Sequence, residues 1–418
     1  MSSDPNIILK IIITAKETVL KIALVRYKLS LGSELKKNMK IIIAPDSFKE
    51  NMRAPEVCSI IETGIVRANK YATVRKIPLA DGGEETARII TQAAGGCFRK
   101  TIVTGPFGKK IEAEFGLINN GNTAVLDIAS SSGIELIDKS ELNPMKATSY
   151  GTGELIKAAL ETGASELIIG IGGSATNDGG IGMLSALGFK FLDKNGQSAG
   201  LDGEALAKIE TVDCIGADKR LNDVSIKAAC DVTNPLLGPN GASATFGPQK
   251  GATPETIKYL ENGLTKLANA WIKTGLTKDV DQPGDGAAGG IGAALRICLN
   301  TRIESGAMLV MKYSGFFNHL SGCDLIITGE GITDDQTNSG KLCSIVACEG
   351  HKTGIPVALI SGALRGNIQN LLSTFDYAVS ISSGQTDIDT MIKDSKKDLA
   401  LAAENLIRAI QIGKNMRT

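Results

Sequence analysis

Leu167-Ile168-Ile169-Gly170-Ile171-Gly172-Gly173-Ser174-Ala175-Thr176-Asn177-Asp178-Gly179-Gly180 runs an apolar strand straight into a loop of glycines, small hydroxyls and one carboxylate. A continuous apolar strand is one covered on both faces, as in a parallel sheet flanked by helices. Without Cβ atoms, the backbone N–H groups of the loop can turn toward an anion. Ile181, Met183, Leu184, Ala186 and Leu187 then continue as the apolar positions of a helix whose positive end faces the same point. Ser174 and Thr176 add hydroxyls, and Asp178 adds a charge able to hold Mg²⁺ or to accept a proton from an attacking alcohol. The same pattern also suits a tight strand-to-helix turn that binds nothing.

Working outward, residues 40–44, 324–327, 357–360 and 377–381 repeat the arrangement of a short apolar strand, a glycine or carboxylate, and then a helix. This βα repetition predicts an α/β protein whose ligands sit at the carboxyl ends of the strands. After the first strand come Pro45-Asp46-Ser47-Phe48-Lys49, and Pro55 opens a helix with Val57, Ile60, Ile61 and Ile65 on one face. Between 86 and 284 the texture changes: residues 101–104, 113–118 and 123–126 are separated by Gly-Pro-Phe-Gly and Asn-Asn-Gly-Asn, the signature of antiparallel hairpins. The expected architecture is a parallel-sheet domain, 39–85 plus 285–418, with a second domain, 86–284, inserted in it and an active site in the cleft between them. Residues 1–38 read as a poorly ordered extension: the apolar run at 7–13 is broken by Lys10, and Asp4, Glu17 and Glu34 do not suit an export signal. The folded part is expected to begin near Met39.

Composition narrows the partners. Forty-five basic residues balance forty-five acidic ones, which argues against a nucleic-acid groove or an anionic membrane surface and for a small-molecule partner. Eight cysteines carry no C-x-x-C pair, and His319 and His351 are the only histidines, so neither a zinc site nor a disulfide framework is expected, and a reducing cytoplasm is the simplest setting. No run of about 18 apolar residues suggests a membrane span. The 418 residues are enough for two or three domains and a large core; a monomer or homodimer is expected, without a sequence signal for either.

Further segments concentrate chemistry. Ala80-Asp81-Gly82-Gly83-Glu84 places a carboxylate against two glycines at a strand end, and Gly284 to Leu295 is a loop of tiny residues entering a helix. For the latter, close helix packing and a nucleotide contact are equal alternatives. Gly329-Glu330-Gly331, Asp334-Asp335-Gln336-Thr337 and Gly340-Lys341 gather carboxylates, an amide and a lysine, which suits Mg²⁺ and phosphate. Asp231 and Asn234, and Gly247-Pro248-Gln249-Lys250-Gly251, read as polar loops within reach of a substrate or as ordinary turns. No Walker A sequence or protein-kinase motif set is present, and the glycines at 170–173 do not complete a dinucleotide fingerprint.

Taken in order, Ala44-Pro45-Asp46-Ser47-Phe48-Lys49, residues 80–84, Gly151-Thr152-Gly153-Glu154-Leu155-Ile156, residues 170–180, 230–238, 246–252 and 286–295, and Ile327-Thr328-Gly329-Glu330-Gly331 resemble the glycerate kinase family of the bacterial type that makes 2-phosphoglycerate. The resemblance runs from Met39 to about Ile412 and implies a Rossmann-like parallel-sheet domain interrupted by a second α/β domain, with ATP, Mg²⁺ and glycerate meeting between the two. Departures are Glu50 and Glu85 where the family has Gly, Asp127 where it has Glu, and Ile332 where it has Arg. On this reading, backbone at Gly172, Gly173, Ser174, Ala175, Thr176 and Asn177, at Gly289, Gly290 and Gly292, and at Gly329 and Glu330 is expected to hold ATP, with Lys341 on its phosphates. Asp178, Asp231 and Asp334 are the expected Mg²⁺ ligands; Asp46, Lys49 and Asp178 are the expected catalytic residues, with Lys49 on the substrate carboxylate. The rival readings are a nicotinamide-dependent oxidoreductase of a small hydroxy acid and a non-catalytic organic-acid binding protein.

Overall fold

The structure, a computed structural model, describes residues 39–48, 51–334, 341–382 and 388–416. The extension expected over 1–38 lies outside the described residues, as do Lys49, Glu50 and Gln336.

Two main sheets organise the chain. In the first, the strands run in the order Tyr377–Ser380, Val357–Ser361, Leu325–Thr328, Lys40–Ile43, Thr73–Lys76, all parallel. In the second, Arg302–Glu304, Ser225–Ala229, Glu166–Gly170 and Thr123–Asp127 are parallel, and the antiparallel strands Lys110–Ile118 and Cys97–Thr104 extend them. The expected hairpins are thus present. In sequence, every strand of the second sheet falls between Thr73–Lys76 and Leu325–Thr328 of the first.

Side-chain alternation sorts the strands into layers. Ile41 and Ile43 face a core shared with the helices Ala54–Ala68 and Ile388–Met416, whereas Ile42 between them faces the opposite core. The helix Ala54–Ala68 starts with proline in its first turn and buries Val57, Cys58, Ile61 and Ile65, one face at helical spacing. Gly64 lets the Ala400 carbonyl of the C-terminal helix approach where a Cβ would collide with it. On its other side the first sheet shares one core with the second: Ile42, Ile326 and Leu359 pack in a cluster with Val125, Ile168 and Ala229, together with apolar residues of the helices Thr86–Ala93, Gly306–Tyr313 and Leu342–Lys352. A third core backs the second sheet and contains Leu167, Ile169, Leu264 and Trp271.

Helix Ile291–Leu299 contributes Ile291, Leu295 and Leu299 to that third core, and Arg302–Glu304 pairs beside Ser225–Ala229. The chain therefore stays with the second sheet to Glu304, beyond the junction expected at 285. The three-residue strand Arg302-Ile303-Glu304 holds a single apolar residue and carries no strand signal of its own. No helix among the described residues is long and apolar enough to cross a membrane.

Candidate active site

Polar residues collect where the parallel strands end. At the first sheet, the Asp46 N–H donates to the Gly329 carbonyl at 2.9 Å, which brings the loops after Lys40–Ile43 and Leu325–Thr328 together. Asp46 is nearly buried, and its Oδ1 accepts from the Ser47 N–H. Asp46 and Glu330 both act on the Cys343 thiol, which burial holds well above the ordinary thiol range. Thr333 Oγ1 donates to Glu330 Oε1, and Lys341, at the start of helix Leu342–Lys352, lies 3.7 Å from Asp334. Gly329 packs so close to the Ile360 carbonyl that no Cβ fits; its lack of a side chain serves strand packing.

One segment joins this end to the second sheet. Leu79 N–H donates to the Pro45 carbonyl, and Gly172 N–H donates to the Gly82 carbonyl at 3.0 Å. Between them Asp81 caps the turn by accepting from the Gly83 N–H. Asp231, at the end of Ser225–Ala229, accepts from Ser305 Oγ at 2.8 Å and from the Ala307 N–H at 2.9 Å, which stops the helix Gly306–Tyr313 with a carboxylate at its positive end. Burial pushes the Asp231 carboxyl up to about 6; these hydrogen bonds oppose the rise and the neighbouring Asp81 charge adds to it. Two repelling carboxylates of this kind suit a divalent cation, because Mg²⁺ takes one or two carboxylates and completes its shell with water and phosphate. The expected trio Asp178, Asp231 and Asp334 is not brought together: among the described residues no three His, Cys, Asp or Glu side chains gather as a metal group.

In the glycine loop after Glu166–Gly170, two of the six backbone donors expected to cradle an anion, those of Gly172 and Ala175, are taken up inside the protein. Gly172 N–H is taken by Gly82, Ala175 N–H by the Ser132 carbonyl and Gly179 N–H by the Gly289 carbonyl. Thr176, Asn177 and Asp178 are fully buried, and Ser174 is nearly so. Asp178 accepts from Ser149 N–H at 2.8 Å, Ser149 Oγ at 2.6 Å, Gly180 N–H at 3.0 Å and Gly182 N–H at 3.3 Å. Its carboxylate caps the helix Ile181–Ala186 and ties it to the helix Tyr150–Glu161, so it has no face toward a metal or an alcohol. Gly172 and Gly173 remain partly exposed, the latter beside Glu84. Gly289 and Gly290 are equally internal: a Cβ on Gly289 would overlap the Thr176 carbonyl oxygen, one on Gly290 would meet Gly179, and one on Gly292 would overlap the Gly284 carbonyl oxygen. Of the two readings of that glycine-rich loop, the packing one describes it.

Two residues that the sequence left unassigned hold these loops. Lys250, almost wholly buried, donates to Ser174 Oγ at 2.8 Å and to the Thr176 carbonyl at 2.6 Å; burial pulls its ammonium down to about 7, against the attraction of Asp178. Asp127 receives the Ala87 N–H at both oxygens, 3.0 Å each, and so fixes the start of helix Thr86–Ala93 after the Asp81–Glu84 turn. Burial raises its carboxyl to about 8, and Glu85 and Glu84 add to the rise. Lys250 belonged to a polar loop and Asp127 ends the strand Thr123–Asp127; the partners of both lie far away in sequence.

A parallel sheet and a mixed one, with Asp46, Asp81, Asp231 and Glu330 beyond the carboxyl ends of parallel strands, make an α/β architecture of the kind that takes ligands at its strand ends. The glycerate kinase family model matches residues 41–411, and the chain belongs to the glycerate kinase family. It is 43% identical to the glycerate 2-kinase of Escherichia coli K12, over 90% of this chain and 99% of that one. It is 40% identical to the glycerate kinase of Bacillus subtilis 168, again over 90% and 99%. A crystal structure described as that of a glycerate kinase 2 from Salmonella typhimurium LT2 superposes with a TM-score of 0.78 at 39% identity, covering 91% of this chain and all of the other.

Proposed function

We propose that this chain transfers the γ-phosphoryl group of ATP, with Mg²⁺, to a hydroxyl of glycerate, releasing ADP and 2-phosphoglycerate. The observation that carries the reading is the nearly full-length relation to a chain named glycerate 2-kinase. The site chemistry supports it. Asp46, close to Glu330 at the end of the first sheet, suits the role of orienting the acceptor hydroxyl and taking its proton as the new P–O bond forms. Asp81 and Asp231 would hold Mg²⁺, which supplies charge neutralisation on the phosphates. Lys341, exposed at the first turn of helix Leu342–Lys352, suits the phosphates themselves through its charge and the helix end. Such catalysis consists mostly of positioning and electrostatics. Eight cysteines without a C-x-x-C pair are in keeping with a cytoplasmic setting.

The test is ADP release, coupled to NADH oxidation, over a panel of hydroxy acids, with the product's phosphate position read by phosphorus NMR. Glycerate-dependent ADP release yielding the 2-phosphate is expected. Turnover of other acids but not glycerate, or a 3-phosphate product, would overturn the reading.

A further inference from the structure

Arg53 is the N-cap residue of helix Ala54–Ala68. Phe48 and Met52 exchange backbone hydrogen bonds of 2.8 and 2.9 Å, and both side chains are buried. Asp46, just before Phe48, is itself bound to Gly329. Through Met52 and its pairing with Phe48, Arg53 stands at the carboxyl end of the first sheet. Its guanidinium reaches across to Glu85 Oε1 at 3.2 Å, on the segment whose Gly82 accepts from Gly172 of the second sheet. The Arg53 side chain is 68% exposed and that of Glu85 20%, so the guanidinium, with five N–H donors, keeps most of its surface open to solution.

Glu85 is unusual in its own right. Its backbone has φ 67° and ψ 0°, left-handed, a conformation that glycine adopts without strain and glutamate does not. A strained residue that spends its carboxylate on an exposed arginine points to a role at the site. The residues at the adjoining strand ends are acidic: Asp46, Asp81, Glu84, Asp231 and Glu330. An organic acid entering among them needs a cation, and a planar guanidinium matches a carboxylate through paired hydrogen bonds. The Glu85 carboxylate is chemically the same group that such a substrate carries.

We propose that Arg53 binds the carboxylate of the incoming hydroxy acid, with Glu85 as the resting partner that the substrate's carboxylate displaces. The assignment rests on the phosphotransfer reading above and extends it to the recognition of the acid. Steady-state kinetics on the full chain test it with Arg53→Gln, Arg53→Lys and Glu85→Gln. Arg53→Gln is expected to raise KM for glycerate about tenfold or more while KM for ATP changes by less than about twofold. Arg53→Lys keeps the charge but loses the fork, and should fall between that variant and wild type; Glu85→Gln, which removes the competing carboxylate, should lower KM for glycerate. An unchanged KM for glycerate in Arg53→Gln, or an equal rise for ATP, would overturn the assignment. If Arg53→Gln does not fold, an unchanged or raised KM in Glu85→Gln overturns it as well. Should the wild type release no ADP with glycerate, the phosphotransfer reading fails instead, and calorimetric titration of glycerate into wild type and Arg53→Gln then decides this one: tighter binding by wild type supports it, and equal or absent binding overturns it.

Discussion

Replacing Asp178 by Asn tests whether this carboxylate builds the fold or works on substrate. The Asp178 oxygens take four donors in a site with no solvent exposure: Ser149 N–H, Ser149 Oγ and Gly182 N–H on Oδ2, and Gly180 N–H on Oδ1. An asparagine that keeps its oxygen at the Oδ2 position turns its NH₂ toward the Gly180 N–H, donor against donor. One orphaned buried donor costs roughly 1–3 kcal/mol, and loss of the charge weakens each of the three remaining bonds by about 1 kcal/mol. Burial lifts the pKa of Asp178 despite these bonds, so removing the charge relieves part of that cost. The net destabilisation is then about 3 kcal/mol, a large share of the roughly 5–15 kcal/mol that holds a domain together. Urea unfolding followed by circular dichroism measures it. A variant within about 1 kcal/mol of wild type that has nonetheless lost turnover would refute the capping argument and return Asp178 to the role of proton acceptor or metal ligand.

Gly292→Ala should destabilise by about 1–3 kcal/mol, because its Cβ would overlap the Gly284 carbonyl oxygen and backbone must move. Gly413→Ala, in the helix Ile388–Met416 with nothing near its Cβ, should instead gain about 0.5–1 kcal/mol; equal effects at the two positions in a thermal melt would refute the packing argument. Folding raises the Asp127 carboxyl from 3.8 to about 8, so in that window the folded state keeps a proton that the unfolded state has released, and wild-type stability falls as pH rises through it. Asp127→Asn should flatten this fall, and urea midpoints that decline between about pH 5 and about pH 9 as steeply as those of wild type would count against the buried carboxylate as the cause.

Much of the layered fold was legible because its signals are local. Uninterrupted apolar strands, carboxylates and glycines at their ends, and turn residues between alternating strands each lie within a few neighbouring positions, and they led to the parallel strands, the hairpins at 97–118 and the family. Asp46, Asp81, Asp231 and Glu330 could be picked out for the same reason, each following a strand. The use of a hydrogen-bonding group, by contrast, depends on what faces it. Gly172 and Ala175 look like free donors until Gly82 and Ser132 come to meet them from far along the chain, and Asp178 looks like a catalytic carboxylate until Ser149 arrives. The ion pair between Arg53 and Glu85, the burial of Lys250 and the pairing of Arg302–Glu304 in the second sheet have the same origin. By itself the sequence determined which segments become strands, which residues stand at their ends and which family they spell. Only tertiary structure decided which of those residues are consumed in holding loops together, because a donor or charge is satisfied by groups brought close in space, wherever they stand in the chain.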